Sequence, residues 1–456
     1  MTVLDDHIAT AGTASPLGVT GRVVSFSGMT VQASGLPVPV GSLCEISAGE
    51  SRVIPAEVIG FKNNVTLLMP LLAPEGLIRG ERIRHITSTQ RVAVGADLLG
   101  KVIDGLGRRC GDGTQVDADT YYPLHRPAPE AITRPRITAP LSVGVRSINA
   151  LLTVGCGQRL GIFAGTGVGK SVLLGMMARY TSADVAVIAL VGERGRELGD
   201  FLAKDLGPQG LKRSVVVVST SDQSPPMRLR ACFSAMAIAE YFRDQGANVL
   251  LLMDSVTRMA MAGRQIGLAA GEPPATKGYP PSVFAMLPQL MERCGRTASG
   301  SITGLFTVLV EGDDLTEPIA DAARGILDGH VWLSRRLAAR GQYPAVDVLE
   351  SVSRVMPDVV DAEHLAAAER VRRLMAVWSQ IEELVNIGAY ASGSNAEYDL
   401  TIRMRPAIEA FLRQKIEEES NFAASGEALM VLSKTIAQAE ASAAQPVRPS
   451  ASGTKP

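Results

Sequence analysis

"FAGTGVGKSV", Phe163 to Val172, sets a glycine-rich turn and a Lys-Ser pair between two apolar runs. "RLGIFA" before it reads as a strand, and "SVLLGMMARY" after it as a helix. A strand that stops abruptly, a turn of converging amides and a helix N-terminus together cradle phosphate. Gly165, Thr166, Gly167, Val168 and Gly169 make the turn, the glycines permitting close approach of the phosphates. Lys170 is placed to reach β- and γ-phosphate oxygens, and the Ser171 hydroxyl to hold Mg²⁺, with Val172 closing the cradle. Such a motif normally opens on glycine, where this chain has Ala164. The three glycines that follow keep the turn, so an ATP site is expected.

Hydrolysis needs carboxylates beside the cradle. "NVLLLMDS" is an apolar strand ending in Asp254, the expected second support for Mg²⁺. "LVGERGRE" puts Glu193 and Arg194 directly after another apolar strand. The C-terminal ends of parallel strands share one edge of a sheet, so Glu193 is the candidate general base that orients water. Glu197 competes for that role but lies one helical turn further on, where the expectation is a solvent-facing side chain.

Outward from this motif the chain divides into segments. Residues 1–20 precede a β-rich stretch, 21–90, whose short runs are broken by Gly, Pro and Asn-Asn, as in a small barrel. Residues 91–141 read as a linker and entry to the core. Residues 142–360 alternate β-branched apolar strands with helices, the pattern of a parallel sheet covered on both faces. Residues 361–440 read as helical, with Leu374, Val377, Ile381 and Leu384 on one stripe and "KIEEESN" as a solvated helix face. Residues 441–456 carry no periodicity and are expected to be disordered. The expected fold is thus a multidomain α/β protein: an N-terminal β-barrel, a RecA-like P-loop domain and a C-terminal helical domain.

Composition narrows the function. The 456 residues carry a net charge of −1 and only 4 % aromatics, which opposes a nucleic-acid binder built on charge and base stacking. Five dispersed cysteines are expected to be reduced, buried thiols, and five histidines show no metal-ligand spacing. No signal peptide or long apolar run is visible, so the chain is expected to be soluble and cytoplasmic.

With cradle, glutamate and aspartate in place, the chain resembles the rotary ATPase superfamily across roughly Gly21 to Glu440. The resemblance rests on "GIFAGTGVGKS", "GERGRE" and "LLLMDS", and implies that Glu193 is the catalytic carboxylate. "QYPAVDVLESVSR" resembles the segment that supplies an adenine-stacking tyrosine, here Tyr343, and an arginine finger for a neighbouring subunit, here Arg354. Plain core packing for Tyr343 and a structural ion pair for Arg354 are the alternatives. "VRSINALLTVGCGQRLG" and "GEPPATKGYPPSVFAMLPQLMERCG" are similar to the type III protein-export ATPases, most closely the flagellar branch. This branch implies a homohexamer at the export gate that separates substrates from chaperones, at the cytoplasmic face of the inner membrane. It also implies a regulator bound at the N-terminus, a central stalk protein and export-gate membrane proteins as partners. A virulence secretion ATPase, a rotary synthase subunit, an RNA translocase and a non-catalytic scaffold are the competing readings. The combination of Lys170, Glu193 and Asp254 opposes the scaffold.

Overall fold

The computed structural model describes residues 18–49, 52–116, 118, 120–310 and 316–443. The expectations for residues 1–17 and for the tail beyond 443 lie outside these residues.

Six strands close the N-terminal barrel: β1 (Thr20–Ser27), β2 (Thr30–Ser34), β3 (Leu43–Ala48), β4 (Arg52–Lys62), β5 (Val65–Pro70) and β6 (Arg82–Thr87), in the order β1-β2-β5-β4-β3-β6. Alternation does the work in β3, where Cys44, Ile46 and Ala48 point inward and their neighbours outward. The β4–β5 hairpin turns through Asn63 and Asn64, both at positive φ, as a two-residue turn of this hand requires. The charged run "RIRHIT" hides the sixth strand: only Ile83 is buried, yet it joins β3 to β1 and closes the barrel.

Between barrel and core, β7 (Arg91–Val94) pairs with β9 (Thr120–Pro123). β8 (Val102–Asp104), in the stretch read as linker and entry to the core, runs parallel to β12 (Ser214–Thr220) as an edge strand of the central sheet. The sheet continues through β10 (Arg159–Ala164), β11 (Val185–Glu193), β13 (Asn248–Asp254), β14 (Ser301–Leu309), β15 (Gly329–Leu333) and β16 (Val346–Ser353). Its order is β16-β15-β10-β14-β13-β11-β12-β8, with β16 antiparallel to β15 and the remaining neighbours along this path parallel. β11 and β13 are buried along almost their whole length, so they read as continuous apolar runs. Helices α1 (Lys170–Tyr180), α2 (Pro225–Asp244), α3 (Val256–Ala270) and α4 (Pro281–Met291) cover the sheet. Cys232, Met236 and Ala239 of α2 are fully buried in the core.

The C-terminal domain packs α5 (Ala362–Asn386), α6 (Ala396–Leu412) and α7 (Phe422–Ala443) against one another. Three expectations change here. Leu374, Val377 and Ile381 are buried, but Leu384 is 45 % exposed near the end of α5. "KIEEESN" is no helix face: α6 stops at Leu412 and the segment is a loop. Cys44, Cys232 and Cys294 are buried free thiols, whereas Cys110 is exposed on a glycine-rich loop and Cys156 half-buried.

Candidate active site

The phosphate turn follows from how β10 ends. Ala164 is still a strand residue, fully buried, and its carbonyl accepts from Val310 N–H at 3.1 Å. Extended backbone needs no glycine, which explains why alanine is tolerated there. The left-handed geometry comes later, at Gly167 (φ 79°) and Gly169 (φ 87°), positions that favour glycine. Val168 is buried and anchors the turn to the core, so only its backbone can face a ligand, while Thr166 and Ser171 are exposed. Gly165 is buried beneath the turn and Val172 half-buried beside it.

Three neighbouring strands and one helix bring the charges together. Lys170, first residue of α1, contacts Asp254 Oδ1 at the end of β13, and its Nζ lies 3.6 Å from Glu193 Oε1 at the end of β11. Thr307 of β14 donates its hydroxyl to the same Asp254 Oδ1 at 2.7 Å. Asp254 is 5 % and Glu193 16 % exposed by side chain. Burial holds the Glu193 carboxyl above its ordinary pKa. Lys170 pulls it down, whereas the Asp254 charge and a hydrogen bond with Glu197 push it up. Glu197 is half-exposed, as expected, but still touches the site; its partner at 3.3 Å is Arg194, whose side chain is 79 % exposed.

Sequence reasoning missed two groups. Thr307 carries no motif and is found only through strand pairing, β14 lying beside β13. Arg258, in the first turn of α3, lowers the Glu193 pKa, and among the described residues its Nε has no hydrogen-bond partner. Its signal was the arginine four residues after Asp254 on a helix that starts at the strand end. The "GER" glycine is explained by the same residue. Gly192 sits at a bulge with φ 74°, and a Cβ there would come within 2.9 Å of Arg258 Cβ.

Tyr343 and Arg354 lie beyond opposite ends of β16, one edge strand of the sheet. Tyr343 lies 3.5 Å from where a Gly169 Cβ would be, beside a cavity of about 560 Å³ also lined by Val172 and Ile416. The strand then runs away from the turn, because Val346 pairs with Leu333 and Ser353 with Gly329. Eight residues of strand put Arg354 roughly 25 Å from the phosphate turn. Its exposed side chain cannot serve its own site. Lys170, Glu193 and Asp254 are therefore brought together within the chain, and Arg354 is not.

Among the described residues, no His, Cys, Asp and Glu group of three or more could hold a metal, and no helix is long and apolar enough to cross a membrane.

Comparison with known proteins shows the family. Residues 144–353 match the ATP synthase alpha/beta family, nucleotide-binding domain, and residues 360–431 the T3SS EscN ATPase C-terminal domain. The chain is 52 % identical over 412 residues to the flagellum-specific ATP synthase of Pseudomonas aeruginosa, covering 89 % of this chain and 91 % of the relative. With the flagellum-specific ATP synthase of Salmonella typhimurium the identity is 46 % over 96 % of this chain and 98 % of the other. With the type 3 secretion system ATPase of Xanthomonas euvesicatoria it is 48 % over 88 % and 91 %. The assembled ATPase EscN of enteropathogenic E. coli superposes with a TM-score of 0.84 at 42 % identity, covering 91 % of this chain and 100 % of EscN. EscN has also been solved in complex with its central stalk EscO. The chain belongs to the flagellum-specific and type III secretion ATPases of the ATP synthase alpha/beta family, and it is an ATP hydrolase.

Proposed function

We propose that this ATPase hydrolyses Mg-ATP to drive type III protein export, of flagellar components in the first place, by separating export substrates from their chaperones. The observation that carries the catalytic part is the meeting of Lys170, Glu193 and Asp254 at the C-terminal ends of the parallel strands, with Arg354 at the opposite end of the sheet.

The residues fit a hard divalent cation. Both donors to Asp254 converge on Oδ1, leaving Oδ2 without a protein donor among the described residues, and the exposed Ser171 hydroxyl stands at the head of α1. One carboxylate and one hydroxyl suit Mg²⁺, which takes its other ligands from water and phosphates. Bound there, it would neutralise charge on the transferring phosphoryl group.

The chain's own groups supply the rest. Lys170 holds the β- and γ-phosphate oxygens, and the turn amides and the α1 N-terminus orient them. Glu193 takes a proton from the attacking water as its oxygen bonds to the γ-phosphorus and the bond to ADP breaks. Lys170 and Arg258 favour the ionised base. Arg194, exposed beside Glu193, completes the candidate catalytic set. Arg354 then acts in trans, as an arginine finger in the next subunit of a homohexameric ring, and Tyr343 stacks on the base.

Leu384 and Ile387, 45 % and 76 % exposed where α5 ends, offer an apolar tip to a central stalk protein. Peripheral attachment at the inner-membrane export apparatus, through the stalk, export-gate proteins and an N-terminal regulator, completes the proposal. Mixing Arg354→Ala with Glu193→Gln chains tests the ring: recovered turnover is expected, and its absence in confirmed mixed rings rejects the trans finger. Deletion of the gene should abolish motility and flagellar protein secretion; intact motility would reject the flagellar assignment.

A further inference from the structure

Arg324, His330 and Arg354 meet at the end of the sheet away from the chain's own phosphate turn. Arg324 lies in the last turn of the helix Pro318–Ile326, His330 is the second residue of β15, and Arg354 follows directly on β16. Strand pairing gathers them: His330 stands opposite Val352, and Arg354 N–H donates to the Asp328 carbonyl at 3.0 Å. His330 Nε2–H donates to the Glu350 carbonyl at 2.9 Å. Burial holds the imidazole below its ordinary pKa; the charges of Arg324 and Arg354 add to this, against the bond to Glu350. Both guanidinium fields therefore fall on one ring, which is neutral at pH 7, and the cluster carries the two arginine charges.

The nearby carboxylates do not neutralise these charges. Arg159 takes both oxygens of Asp328, with N–H at 3.0 Å and Nε at 3.1 Å on Oδ2 and Nη2 at 2.9 Å on Oδ1. Asp321, one turn before Arg324, and Glu350, on β16, are exposed to water. Among the described residues, neither the exposed Arg354 nor the half-buried Arg324 makes a side-chain hydrogen bond or ion pair. Two cations held near one another without a counter-ion repel, and the arrangement gains only when an anion joins them. The surface beside them is open: Gly325 is exposed, and a Cβ added there would meet nothing within 4 Å.

We propose that Arg324 acts in trans beside Arg354, the two guanidiniums together receiving the triphosphate held by the next copy of this chain. This role rests on the trans reading of Arg354 given above and adds a second cation to it. Phosphoryl transfer spreads negative charge over the equatorial oxygens and the leaving oxygen together. Each guanidinium fork pairs with two oxygens, so two forks match that spread where one does not.

The test is complementation between full-length chains in mixed rings. Arg324→Ala should lower kcat by ~10²-fold, the cost of one preorganised donor, with ATP binding and the thermal transition unchanged. Mixed with Lys170→Ala chains, which keep both arginines, it should regain turnover, because its own phosphate turn then meets an intact neighbour. No recovery in confirmed mixed rings rejects the trans role of Arg324. If Arg354→Ala recovers under the same conditions, Arg324 alone loses its role; if neither recovers, the trans reading of Arg354 falls as well. Arg324→Lys keeps the charge without the fork and should turn over about tenfold faster than Arg324→Ala; equal loss counts against the proposal. Removing Arg324 from an Arg354→Ala chain should lower kcat further. An unchanged rate there would make Arg324 a support for Arg354 and overturn its contact with the triphosphate. A fall in thermal stability in place of turnover would overturn it too, by giving Arg324 a structural role in its own chain.

Discussion

The nucleotide-binding domain buries two clusters of opposite charges, and they are built on different terms. In the first, the Arg293 guanidinium grips Glu240 with two bonds, Nε to Oε1 at 2.9 Å and Nη2 to Oε2 at 2.7 Å, and spends Nη1 on the Leu124 carbonyl at 2.6 Å. Arg126 and Arg243 bind Asp244 next to it, and Tyr122 donates to the same carboxylate. Glu240 and Arg293 are 2 % and 1 % exposed, and every donor of Arg293 named above has an acceptor. In the second, Lys170 is shared between two carboxylates at unequal distances, Asp254 uses one oxygen, and Glu193 is held above its ordinary pKa. Saturated pairing pins the β9 region to α2; incomplete pairing leaves capacity for a ligand. Two clusters of similar burial thus answer to different measurements, one to stability and the other to turnover.

Glu193→Gln should show the largest effect and separate the two clusters most sharply. Removing the proposed base while keeping its shape is expected to lower turnover by ~10²–10⁴ with ATP still bound. The thermal transition should not fall, because the substitution also removes a carboxylate that burial disfavours. A loss of folding stability in place of turnover would make Glu193 a structural residue and erase the distinction.

Glu240→Ala is the converse. Breaking a buried pair strands the remaining charge, so a stability loss of about 3–5 kcal/mol is expected by denaturant titration. The fraction that stays folded should keep its kcat. A selective loss of kcat without unfolding would mean that the saturated cluster also serves catalysis.

These two clusters also mark what was legible in the sequence. Lys170 could be read from the glycine turn that precedes it, and Glu193 and Asp254 because each ends an apolar strand, where parallel topology dictates convergence. Barrel, sheet and helical domain were visible for the same reason, as changes of period. The sixth barrel strand was not, since five of its six residues alternate charge and partial exposure around Ile83. β8 was hidden by its shortness, and the loop after Leu412 by a composition that suits a helix as well as a wall. Arg293 and Glu240 lie 53 residues apart and Thr307 lies 53 from Asp254. Such pairs follow from which strands and helices become neighbours, and no local spacing encodes them.

Thr307→Val sharpens the comparison at smaller scale. Valine keeps the volume of a fully buried side chain and removes the hydroxyl that holds Asp254 Oδ1. A carboxylate held by Lys170 alone rotates more freely, so kcat is expected to drop by ~10-fold and the Mg²⁺ concentration for half-saturation of ATP binding to rise. Thr307→Ser should restore both. A stability loss with unchanged Mg²⁺ dependence would assign Thr307 to the core alone.

The smallest effect tests the electrostatics of the incomplete cluster directly. Glu193 must be ionised to accept a proton, and its pKa is raised, so turnover should fall as pH drops through a value above that of an ordinary glutamate. Glu197 contributes to that rise through a hydrogen bond that favours protonated Glu193. Glu197→Gln replaces it with an amide that can donate to the ionised form, so the acid limb should move to lower pH by less than about one unit. The rate on the alkaline side should change little, because Glu197 is half-exposed and its other partner, Arg194, is solvated. A shift to higher pH would mean that Glu197 instead stabilises the ionised base. An equal loss of rate at every pH would make it a positioning residue for Glu193, and the incomplete cluster would then extend one helical turn beyond the strand end.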